Sequence, residues 1–191
     1  MTVEEIFSQI SKHMVEGLMF HSQMSDYYNF LGLDGFRKQH DYHFYSESNN
    51  FQKLSNYYIK HFNKFLLETP FENPNVIPSN WHAFIRQDVD NSIRKASIQS
   101  GIEKWVEWEQ KTKKLYEECY KELVNLNEAA GAIELKKYIT DVDFELAEAH
   151  SEHLRLKAME YDVSDIVMMQ DDLFEKYSKK LWGIELDDRH K

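Results

Sequence analysis

Four stretches of this chain each carry an apolar seam at helical spacing, and an ionisable residue breaks every one of them. The first seam runs Val3, Phe7, Ile10, Met14, Gly17, His21, Met24, Tyr28, Leu31, and the second His40, Phe44, Glu47, Phe51, Leu54, Tyr58, His61, Phe65. The third runs Ile98, Ile102, Trp105, Glu109, Thr112, Tyr116, Cys119, Leu123, Leu126, and the fourth Gly131, Leu135, Tyr138, Val142, Glu145, Ala149, Glu152, Leu156, Met159. Alternating steps of three and four over such lengths make long helices packed nearly parallel, an all-α bundle. Glu47, Glu109 and Glu145 then point where apolar residues belong. A buried carboxylate is costly unless it is protonated, paired or bound to a metal, so function is to be sought there.

The 191 residues are read as a single helical domain, with a core bundle over about residues 3–160 and an extra helix over about 164–181. Cys119 is the only cysteine and, on the third seam, reads as a small buried group. The N-terminus lacks a signal pattern and no apolar run reaches spanning length, so a soluble cytoplasmic protein with no membrane partner is expected. A formal charge of -10 and only small basic clusters argue against a nucleic-acid partner. There is no glycine-rich phosphate loop, nucleophile elbow or CxxC pair.

Gly32 and Gly35 bracket a tight turn after the first helix, and the second is expected to reach about Leu67. Pro70, Pro74 and Pro78 all fall in the stretch from Thr69 to Gln87, which has no helical period. The third helix should start near Asp88 or Asp90, and the fourth follows almost at once after Leu126. A helix of about 30 residues is ~45 Å long, and about 20 extended residues reach ~65 Å. The proline-bearing connection can therefore cross the whole bundle, which joins two hairpins by one long crossover. Ile166, Met169, Leu173, Phe174, Tyr177 and Leu181 give the fifth helix its apolar side.

Stacking the seams in that topology places Met14, Glu47, Glu109 and Glu145 in one layer. Seven residues away, ~10 Å along the axis, lie His21, His40, Ile102 and Glu152. Two imidazoles and a carboxylate suit a separate zinc or iron(II) site, and His43 and Glu148 flank the carboxylate layer as substitute ligands. His61 stands alone and reads as structural, while His150 and His153 read as half-exposed.

The segment from Gln23-Met-Ser through Glu47 to Phe51-Gln-Lys-Leu54 resembles helices A and B of the bacterial non-haem ferritins. Glu109-Gln110 through Tyr138 to Glu145 similarly resembles their helices C and D. The resemblance implies a ferritin-like four-helix bundle with a long B–C crossover and a fifth C-terminal helix. It implies a di-iron centre taking Glu from A, Glu-x-x-His from B, Glu from C, and Glu with a second polar ligand from D. On that register Glu47, Glu109 and Glu145 fall on ligand positions, whereas Met14 stands at the helix-A glutamate and Asn50 at the helix-B histidine. Glu16 does not repair the first departure, being ~200° around the helix from that seam. The chain is also similar to a small group of prophage-encoded ferritin-like proteins from Gram-positive bacteria.

The expected function is a ferritin-like protein with a degenerate carboxylate site that binds metal, with iron or zinc as candidates, but lacks efficient ferroxidase activity. A homo-oligomer is the expected partner. The rival functions are a prophage structural or interaction protein with a metal-free polar core, and a di-iron oxidase using substituted ligands.

Overall fold

Thr2 starts the first helix with a reciprocal cap, its hydroxyl accepting from the Glu5 amide at 3.2 Å while the Glu5 carboxylate accepts from the Thr2 amide at 2.8 Å. Helix α1 spans Val3–Leu31 and stops at Gly32, whose φ of 74° is the left-handed conformation glycine adopts without strain. Helix α2 spans Asp34–Phe62, and α3, capped by the Asp90 carboxylate, spans Asn91–Asn125. A turn through Asn127 leads into α4, Ala129–Ala158, and α5 covers Val163–Asp188. The computed structural model describes residues 1–66, 74 and 89–188, and among these there is no strand.

Helices α1 and α2 form one antiparallel hairpin and α3 and α4 another. The two hairpins meet through α1 and α3. The Tyr27 hydroxyl donates to the Ser97 carbonyl at 2.9 Å near one end, and His13 meets the Thr112 hydroxyl at 2.8 Å nearer the other. Helix α1 is therefore antiparallel to α3, and α3 begins at the end of the bundle where α2 begins. The link from Asn63 to Asp90 has to join opposite ends, as the crossover reading requires. Its course, including Pro70 and Pro78, lies outside the described residues.

Two expectations are corrected here. Helix α2 ends at Phe62 rather than Leu67, because Asn63 turns left-handed at φ 52° and bonds its amide to the Ile59 carbonyl, leaving Phe65 in solvent. Gly35 is not a turn residue but lies inside α2, buried against α5 so closely that a Cβ would overlap the Gln170 carbonyl. Its role is close approach of two helix backbones.

Helix α5 runs parallel to α2 and back along α4, over the groove between them. Tyr177 meets Tyr42 and Lys38 lies over Phe174 on the α2 side, while Arg155 and Asp172 approach to 3.6 Å on the α4 side. Ile166, Met169, Leu173 and Tyr177 are buried as the pattern predicts, but Phe174 faces outward. The core divides into two apolar clusters. One gathers Phe20, Met24, Tyr28, Trp105 and Tyr177, and the other Phe7, Met14, Leu54, Tyr116 and Tyr138. The polar seam residues lie between them.

Candidate metal centre

Seam position alone buries Glu47 and Glu109, at 5% and 1% exposure, while Glu145 is half-buried. Gly17 of α1 faces the first, and a Cβ there would make ordinary van der Waals contact with the Glu47 carboxyl carbon at 3.6 Å. The indole N–H of Trp105, one turn back on α3, donates to Glu109 Oε1 at 2.9 Å. His43 Nδ1 lies 3.3 Å from Glu145 Oε1. Burial pushes the Glu47 carboxyl well above its ordinary range, and the charges of Glu145 and Asp141 push it further. Glu109 rises the same way, through burial and then Glu145 and Glu47, against the Trp105 hydrogen bond. Each keeps one buried oxygen, Oε2, with no hydrogen-bond partner. Met14 and Asn50 are buried too, and the Asn50 side chain bonds Asp141.

The histidine layer is not a separate site. His21 and His40 are buried and joined Nδ1 to Nδ1 at 3.0 Å, so a single proton sits between them. Burial holds both imidazoles well below their ordinary pKa, helped by the neighbouring His43 for each and by His40 for His21. Yet His21 Nε2 lies 3.7 Å from Glu109 Oε1, and the His21 and His43 rings stack at 5.2 Å between centroids. Helical side chains lean toward the N-terminus of their own helix. On antiparallel α1 and α3 this tilts His21 and Glu109 toward one another and closes the ~10 Å that the axial rise suggests.

Glu152 does not join His21 and His40. Its Oε1 accepts from the Gln39 amide at 2.5 Å, and Gln39 reaches on to the Tyr177 hydroxyl at 3.2 Å. Burial raises the Glu152 carboxyl to about 7. Glu148 faces His43 Nε2 at 3.7 Å but is held by α5, taking hydrogen bonds at 2.5 Å from Lys176 and from the Tyr177 hydroxyl. Those bonds hold its carboxyl low against the burial that would raise it. The seam pattern missed Gln39 because its face of α2 is solvent in a four-helix bundle and is covered only by the fifth helix. Trp105, an apolar member of the third seam, is also a donor to the centre, and its one-turn spacing from Glu109 was the available signal.

The centre reaches the surface through a 460 Å³ cleft between α2 and α4, with His43, Asn50 and Glu145 on its wall and Lys53 and Lys180 at its margin. Among the described residues, no three His, Cys, Asp or Glu side chains surround a common point closely enough to hold an ion as they stand. His61 pairs with Glu128 at 3.2 Å, and His150 is exposed while His153 is half-buried. Glu16 turns away from the centre to His13, Lys12 and Lys111.

Solved structures share this helical fold. An engineered closed form of the Archaeoglobus fulgidus ferritin matches with a TM-score of 0.74 at 17% identity, over 90% of this chain and 94% of that one. The fold is ferritin-like. The open-pore ferritin from the same hyperthermophilic archaeon matches equally, with a TM-score of 0.74 at 17% identity over 90% and 94% of the two chains. A humanized archaeal ferritin gives a TM-score of 0.76 at 14% identity, over 90% and 93%. No protein-family model matches the chain, and no curated protein matches its sequence. Among the described residues, no helix is long and apolar enough to cross a membrane.

Proposed function

We propose that this ferritin-fold chain is a cytosolic protein that binds a metal ion, iron or zinc, at its buried centre without efficient ferroxidase turnover. The observation that carries the reading is a set of buried polar atoms without hydrogen-bond partners. Glu47 Oε2, Glu109 Oε2, His21 Nε2 and His43 Nε2 are all sealed from water without a hydrogen-bond partner, around carboxylates that repel each other. Carboxylate oxygens and neutral imidazole are the donor set that iron and zinc take.

Glu47, Glu109, Glu145 and His43 would hold the ion. Glu145 and His43 are placed to receive it first, since both line the cleft. A bound ion would supply the positive charge that lets Glu47 and Glu109 ionise. Trp105 fixes the orientation of Glu109, and the His21–His40 pair backs it from above. Met14 brings a thioether where a carboxylate would complete a second iron position, and Asn50 brings an amide bonded to Asp141. A pair of irons would be short of ligands, which is why slow iron oxidation accompanies this reading.

Melting curves of chelator-treated protein, with and without added zinc, test it. Zinc at a hundredfold excess over its Kd should stabilise by about 2.7 kcal/mol through mass action. Glu109→Gln should abolish that response. No response in the parent would leave the prophage-type interaction protein, with a protonated and metal-free core, as the better reading. Self-association with further copies of the chain belongs to the same proposal, supported by the outward-facing Ile133, Phe144 and Leu154 of α4.

A further inference from the structure

Tyr116 follows Glu109 by seven residues on the same seam of α3, is 1% exposed, and has a fully buried hydroxyl with no hydrogen-bond partner. Tyr27, Tyr138 and Tyr177 bond theirs, to the Ser97 carbonyl, Glu134 and Glu148, whereas the hydroxyl of Tyr57, far from the centre's carboxylates in sequence register, shares the orphaned state. An orphaned buried hydroxyl costs about 1–3 kcal/mol, and phenylalanine would fill the volume without that cost. The ring belongs to the same apolar cluster as Met14 and Leu54.

The tilt of helical side chains toward their own N-terminus carries the Tyr116 hydroxyl back toward the turns of Thr112 and Glu109. The Thr112 hydroxyl is already engaged by His13 and by the Trp108 carbonyl. The His13 ring meets the Tyr116 ring edge-on at 5.9 Å between centroids, and Glu109 lies two turns back on the same seam of α3. Burial pushes the phenol well above its ordinary value, and the charges of Glu47, Glu145 and Glu109, in that order, push it further, so carboxylates lie near its oxygen.

We infer that Tyr116 is a ligand of the metal centre, its phenolic oxygen supplying from α3 the hard donor that Met14 does not supply from α1. This rests on the metal-binding reading above. Ligation of a ferric ion exchanges the phenol O–H bond for an oxygen–metal bond. The proton leaves to a neighbouring carboxylate such as Glu47 and then to solvent through the cleft, and the ion enters as Fe(III), so no oxidant is involved. A hard phenolate oxygen favours ferric ion over zinc. Charge transfer from phenolate to Fe(III) absorbs visible light, whereas Zn(II), with a filled d shell, gives no such band.

The test loads the full chain with Fe(III) from a soluble chelate, and separately with Zn(II), and records visible absorption, resonance Raman and metal content. The ferric form should be coloured in proportion to bound ion and show phenolate ring vibrations, and the zinc form should be colourless. Tyr116→Phe should lose the colour per bound ferric ion. Tyr42→Phe, which alters another tyrosine near Glu145, should keep it. Ferric ion retained by the parent without colour overturns the ligation alone, as does colour that survives in Y116F. A parent that retains neither ion overturns the metal reading and the ligation with it. Where Y116F does not fold, the parent's ring vibrations and Y42F decide, and loss of the band in Y42F overturns the assignment.

Discussion

Replacing Glu152 by glutamine should stabilise the protein at alkaline pH and leave it unchanged near pH 4.5. Glu152 is a buried carboxyl raised from the ordinary 4.5 to about 7, first by desolvation and then by the charge of Glu148, against the Gln39 hydrogen bond and the charges of Lys176 and His43. The folded state thus binds its proton more tightly than the unfolded state. The stability from this group is complete below pH 4.5, declines as pH rises toward 7, and is lost above it. At ~1.4 kcal/mol per pH unit the interval corresponds to about 3 kcal/mol. Glutamine removes the titration and keeps the geometry. Its oxygen still accepts from the Gln39 amide, and its new N–H₂ can donate to Gln39 Oε1, now buried without a partner. A gain of 1–3 kcal/mol at pH 8 is a rise in melting temperature of about 3–10 °C for a chain of this size. Thermal melts of parent and E152Q followed by circular dichroism at pH 4.5, 6, 7 and 8 measure it. Equal curves at pH 8, or a variant less stable there, would refute the buried-proton account of this contact.

Gly35→Ala should undock α5 and lower stability by about 1–3 kcal/mol, because the added methyl overlaps backbone of α5 rather than a movable side chain; proteolysis of α5 and a melting curve read it. Leu54→Ala should cost about 2–5 kcal/mol by denaturant titration, since Leu54 is fully buried. Met14→Glu with Asn50→His should raise the rate of iron(II) oxidation at least tenfold over the parent in a stopped-flow assay, by returning the two ligands the centre lacks; an unchanged rate would show that ligand number is not the limit. Light scattering should give a mass above that of one 191-residue chain, and Phe144→Glu should lower it if the outer face of α4 carries the contact.

The helices were legible because periodicity is local information. Seams of three and four steps over 29 to 35 residues name both the helix and its buried side, so Glu47 and Glu109 were placed in the core before any packing was known. The hairpin relations followed from short turns and one long proline-bearing link. What the pattern could not carry was the fifth helix's choice of seat. That choice buries Gln39, turns Glu152 to it rather than to His21 and His40, and draws Glu148 to Lys176. Axial rise alone also separated two layers that side-chain tilt brings together at His21 and Glu109. The hydroxyl of Tyr116 carried no sequence signal at all, since a seam tyrosine reads as apolar until its partners are counted.

Crystals of the full chain grown without chelator and soaked in zinc, with diffraction recorded on either side of the zinc absorption edge, test the central claim most directly. An anomalous peak enclosed by Glu47, Glu109, Glu145 and His43, absent in Glu109→Gln crystals soaked alike, is the expected result. Carboxylates that stay unliganded at saturating zinc, or a peak confined to surface histidines such as His150, would contradict it.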